Sequence, residues 1–149
     1  MAAINPLEAH LGYWLRLVSN HVSQGFAAKL AERGVTVPEW VLLRTLHEAA
    51  AAPSALAETL GMTRGGVTKL IDRLSARGLV ARQAGGADKR YQAVTLTGAG
   101  AELVPDLAAL ADANDLEWFG HLDTNEAVAL RAALETIAAR RGIRGAAMD

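Results

Sequence analysis

Between Thr63 and Arg90 the chain spaces basic and hydroxyl side chains so that they could touch a nucleic acid in two ways. Arg64, Thr68 and Lys69 could reach base edges, where arginine and lysine donate to guanine and threonine pairs with either kind of edge. Lys89 and Arg90 could take phosphate oxygens, which carry no sequence information but fix orientation. That division of labour needs the first three on one helical face and the other two on a projection beside it. Thr63 is a good N-cap, and Val67, Leu70, Ile71 and Leu74 recur at helical steps, so one apolar stripe predicts a helix over about 64–77. Gly78 ends it as a left-handed residue would, with Leu79 folding back on Leu74 in a Schellman ending.

The face opposite the stripe carries Gly65, Thr68, Lys69, Asp72 and Ala76, with Arg64 and Arg73 on its shoulders. A glycine within a helix costs ~1 kcal/mol relative to alanine, so Gly65 and Gly66 weaken the turn that Thr63 caps. Two things could favour them: backbone approaching a nucleic acid in a major groove, or close packing against another helix. Beyond Gly78, Leu79 to Arg82 and Tyr91 to Leu96 have strand character around Gly85 and Gly86, which predicts a hairpin. Its tip, within about 82–91, would set Lys89 and Arg90 on the backbone or minor groove. Asp88 has the wrong charge for that contact and suits a turn former or a partner that holds an arginine. Pro53 and Ser54 open a short helix through Leu60, Gly61 and Met62 make a turn, and the whole reads as a winged helix-turn-helix.

The runs Leu60 to Leu74, Arg77 to Arg82, Asp88-Lys89-Arg90 and Val94 to Gly100 together resemble the MarR family of bacterial transcription regulators. The specific part is the Asp-x-Arg tip followed by Leu96-Thr97-x-x-Gly100. The resemblance implies a homodimer that binds a pseudo-palindromic operator in double-stranded DNA, as a repressor released by a small-molecule or redox signal. Family members often bind aromatic acids between the dimer helices and the reading head. On that basis Trp14, Trp40, Arg44, His47 and Trp118 are candidate ligand residues for a small aromatic or phenolic molecule, with Arg44 the candidate partner of its carboxylate.

Charge distribution agrees with a polyanionic partner although the formal net charge is −1. From Arg64 to Arg90 seven Lys and Arg stand against Asp72 and Asp88, while from Gly98 to Glu135 Arg131 is the lone cation among eight acids. Such polarity favours one docking orientation on a phosphate surface. The sequence has no cysteine, which excludes disulfides, thiolate metal sites and cysteine-based sensing. His10, His21, His47 and His121 form no local metal motif, and no metal or cofactor is expected. No long apolar run, signal peptide or lipidation signal is visible, so a cytoplasmic protein without a membrane segment is expected. A nucleophile elbow, an H-E-x-x-H pair and a phosphate-binding glycine loop are all missing, which argues against an enzyme.

The rest of the chain must hold the basic head. Leu7, Leu11, Trp14, Leu15, Val18, Val22 and Leu30 keep a helical period up to Gly34; Trp40, Leu43 and Leu46 begin a second helix after Pro38. A long helix is expected from Gly98 toward His121, kinked or restarted near Pro105. Asp123 and Glu126 make an approximate capping box for a last helix with Val128, Leu130, Leu134 and Ile137. The expected fold is mainly α with a small β-hairpin wing, in a single domain spanning 1–149. A helical dimerisation region covers 1–34 and 98–145 and the winged helix-turn-helix covers 35–97, with Leu7, Leu11, Leu130, Leu134 and Ile137 as candidate dimer contacts. The rival is a winged-helix module for protein association without DNA binding; it gives no reason for positive charge on both helix and wing.

Overall fold

The computed structural model describes residues 2–84 and 92–148. Six α-helices run in the order α1 (Leu11–Ala31), α2 (Val37–Glu48), α3 (Pro53–Leu60), α4 (Arg64–Ala76), α5 (Gly98–Phe119) and α6 (Thr124–Arg140), among the described residues. Two strands, β1 (Val80–Ala84) and β2 (Gln92–Leu96), lie between α4 and α5 and pair antiparallel from Val80↔Leu96 to Ala84↔Gln92. Ala51 adds a third, single-residue rung by exchanging both backbone hydrogen bonds with Val94.

Local chemistry sets most boundaries. Thr36 and Glu39 form a reciprocal capping box at the start of α2, and Asp123 and Glu126 form another at α6. Thr63 and Thr97 accept from the backbone N–H three residues on, at 3.0 and 3.1 Å, and so open α4 and α5. At the other end of α4, Gly78 has φ +72°, its N–H reaches the Ser75 carbonyl, and the Leu79 N–H reaches that of Leu74. This is the Schellman pattern expected from the sequence, with Leu74 and Leu79 both buried.

Two expectations are corrected. The first helix starts at Leu11, because His10 is extended and Leu7 belongs to a separate 3-10 turn, Leu7–Ala9. Pro105 neither ends nor restarts α5, which runs unbroken from Gly98 to Phe119. A proline removes one N–H donor and crowds one carbonyl; Pro105 is on the solvent side, while Val104 and Leu107 beside it are sealed in the core and hold the helix together.

One cluster of buried side chains unites the head with its supports. It takes Leu30 from α1, Leu42, Leu43 and Leu46 from α2, Leu56 and Leu60 from α3, the α4 stripe, Val80, Val94, and Val104 and Leu107 from α5. Helix α6 contributes no buried residue.

Candidate nucleic-acid interface

Helix α4 turns its apolar stripe inward and its polar face outward. Val67, Leu70, Ile71 and Leu74 are at most 1% exposed, whereas Thr63, Arg64, Gly65, Thr68, Lys69, Asp72 and Arg73 all face solvent. The two glycines have different roles. A Cβ on Gly66 would lie 3.1 Å from the Thr63 hydroxyl oxygen and 3.3 Å from the Met62 methyl, so its smallness lets the cap close. A Cβ on Gly65 would meet nothing within 4 Å. Packing among the described residues therefore gives no reason for a glycine at 65.

The base of the hairpin is fixed against this helix. Arg82 of β1 pairs with Asp72 of α4 at 2.7 Å, which sets the hairpin's direction and neutralises the acid on the exposed face. Asp88, Lys89 and Arg90 lie outside the described residues. Sequence reasoning counted Asp72 and Arg82 but did not pair them; their opposite charges on adjoining elements were the available signal.

The C-terminal end of α4 is tied to the helical body at three points. Arg77 donates to the Gly34 carbonyl at 2.6 Å and stands 3.7 Å from the buried Glu39 carboxylate, which also caps α2. Thr97 donates its hydroxyl to the Gly78 carbonyl at 2.6 Å while capping α5. A Cβ on Gly100 would fall 2.1 Å from the Leu79 carbonyl oxygen, so only glycine lets the first turn of α5 sit on the end of α4. Leu79, Thr97 and Gly100 thus join the start of α5 to the end of α4.

Farther from the head, the aromatic residues do not converge as one set. Trp40 and Phe26 line a 210 Å³ cavity between α1, α2 and α5, with Asn114, Asp115 and the tail residue Ala147. Trp14 stands apart near the start of α1, where its ring N–H donates to the Glu8 carbonyl. Arg44 and His47 are exposed on α2, and Arg44 pairs with Glu48, whose carboxyl it holds below the usual range by hydrogen bonding and charge. Trp118 packs on Gly25 of α1, and its buried ring N–H has no partner among the described residues. Of the five candidate ligand residues, only Trp40 lines the cavity.

The five candidate dimer contacts are all exposed, from Leu134 at 43% to Leu11 at 89%. Leu130 and Leu134 line a 400 Å³ groove between α5 and α6 together with Phe119 and Leu122. Residues 143–148 return from α6 to the head: a Cβ on Gly145 would lie 3.5 Å from the Cα of Gly61, in the α3–α4 turn, and Ala146 and Met148 pack on the core.

The model of the MarR family matches residues 33–90, which begin just after α1 and take in α2, α3, α4 and β1. Across the longer span, the chain is 30% identical over 131 residues to the HTH-type transcriptional repressor Rv2887 of Mycobacterium tuberculosis, covering 87% of this chain and 94% of that protein. The chain belongs to the MarR family. Its fold is likewise that of solved MarR-family regulators. CouR from Rhodococcus jostii, crystallised with p-coumaroyl-CoA, superposes with a TM-score of 0.78 at 26% identity over 91% of this chain and 96% of that one. A variant of MarR from E. coli in complex with operator DNA gives 0.75 at 25% identity over 85% and 92%. The match of this MarR-family chain to the Rv2887 repressor extends well beyond the head, into its helical body.

Proposed function

We propose that this MarR-family regulator is a homodimeric, sequence-specific DNA-binding repressor released by a small molecule. Helix α4 enters the major groove of a pseudo-palindromic operator, with Arg64, Thr68 and Lys69 at base edges and Thr63, Gly65 and Arg73 against the backbone. The wing, about 82–91, grips the backbone or minor groove through Lys89 and Arg90, supported by Asp88. The ends of the chain, 1–34 and 98–145, form the dimer through Leu7, Leu11, Leu130, Leu134 and Ile137, and 35–97 forms the reading head. Two α4 helices in successive major grooves must stand ~34–36 Å apart. A ligand that prefers another spacing releases the DNA, since equal affinity for both would shift nothing.

The observation that carries this reading is Gly65, a helix-weakening residue on a basic, solvent-facing surface with nothing near its missing side chain. Among the described residues nothing accounts for it, which supports a purpose outside the chain. The crystallised complex of E. coli MarR with operator DNA supports the same assignment.

The test uses Gly65→Ala in two assays. Removing the glycine should raise folding stability by up to ~1 kcal/mol while weakening binding to an operator selected from random DNA, measured by gel shift. Arg64→Ala and Lys69→Ala should each lose ~1–3 kcal/mol of discrimination at one base position, whereas Arg90→Ala should weaken all sequences alike. Wild-type affinity in Gly65→Ala, Arg64→Ala and Lys69→Ala together would refute the reading.

A further inference from the structure

We infer that the cavity between α1, α2 and α5 takes an organic cation bearing an aromatic ring, with Asp115 as its counter-charge and Trp40 and Phe26 as its π walls. The inference rests on the proposed ligand response only for its effect on DNA; the binding site itself stands on the cavity. Asp115 is the one charged residue of the lining, and it makes no ion pair among the described residues. Among the described residues no basic side chain lines the space; Arg131 lines the neighbouring α5–α6 groove, of which Asp115 is also a part. The nearest candidate, Lys29, is held by Glu117 at 2.6 Å and by the Asn114 amide oxygen at 3.0 Å. The other half of that amide donates to the Val22 carbonyl at 3.1 Å, so Asn114 has its bonds within the protein. Arg44, the expected carboxylate partner, is absent from the lining and paired with Glu48.

A carboxylate ligand would therefore enter a space with an acid at its rim and no cation to meet it. An ammonium group finds the reverse. Trp40 and Phe26 stand edge to face, 6.4 Å between ring centres and 85° between planes, and both line the cavity, where an aromatic face attracts a cation. A cavity of about 150 Å³ can hold benzene, so 210 Å³ admits one ring with a small ammonium group.

Benzyltrimethylammonium and phenylacetate are the probes, titrated calorimetrically into the full-length protein without DNA. The cation should bind about tenfold tighter than the anion, one ion contact in affinity. Its N-methyl proton signals should move upfield in the complex, as protons over an aromatic face do. Asp115→Asn, a change at an exposed position, should abolish the preference while leaving the thermal midpoint unchanged. Equal or tighter binding of phenylacetate, an unchanged preference in Asp115→Asn, or no binding of the cation would overturn the inference. Because these readings need no DNA, their failure leaves the operator reading intact; a wild-type protein that binds the cation but never shifts DNA would sink only the latter.

Discussion

On α4, Val67, Leu70, Ile71 and Leu74 recur at helical spacing and are sealed from solvent; on α6, Leu130, Leu134 and Ile137 recur as regularly and stand 43–55% exposed. The head finds cover for its stripe within the chain, from α2, α3 and the strands, whereas α6 finds none. Equal periodicity thus hides unequal completeness: the stripe of the head is covered within the chain, and that of α6 is left open among the described residues. A monomer does not leave that many regularly placed leucines in water without a use for them. In the proposed homodimer a second copy, bringing the same α1 and α6 faces, would cover them symmetrically.

The comparison can be broken at either end, and the largest effect is expected in the head. Leu70→Ala should cost ~2–5 kcal/mol, the loss for a buried leucine with its cavity, measured by chemical denaturation. Ile137→Ala on α6 should change the stability of the isolated subunit by far less. Gly100→Ala comes next: the new methyl must push the Leu79 carbonyl away, at about 1–3 kcal/mol for overpacking. Since that junction joins α5 to α4, operator affinity should fall even in molecules that remain folded. The double change Leu130→Asp with Leu134→Asp should convert a dimer into a folded monomer in sedimentation, with helical circular dichroism largely retained. A dimer that persisted at low micromolar concentration would remove α6 from the interface. Smallest in stability is Asp72→Ala, within about 0–1 kcal/mol for an exposed pair. It should nevertheless alter DNA affinity measurably, because it frees Arg82 and the hairpin's direction together.

What could be read from the sequence divides along the same line. Helix α4, its Thr63 cap, its Gly78 ending, and the Asp123–Glu126 capping box were legible because each depends on residues within a turn of one another. The third rung at Ala51 was not, since a run of alanines carries no strand signal and the bridge depends on Val94, far along the chain. Arg77 looked like one more basic residue of the reading head; it is spent on Gly34 and Glu39, a contact set by how α1 and α2 meet. The aromatic residues are scattered for a similar reason. The family resemblance put Trp14, Trp40 and Trp118 in one candidate set, and which helix faces which leaves Trp40 as the one of them that lines the cavity between α1, α2 and α5. Pro105 misled in the opposite direction, because the sealed neighbours Val104 and Leu107 outweigh one lost hydrogen bond.

Methylation protection of guanine N7 on a selected operator tests the central claim most directly, since that atom lies in the major groove and nowhere else. The account predicts two protected clusters about 10 base pairs apart, both weakened together in Arg64→Ala. Stable binding with no major-groove protection, or with one cluster only, would contradict it.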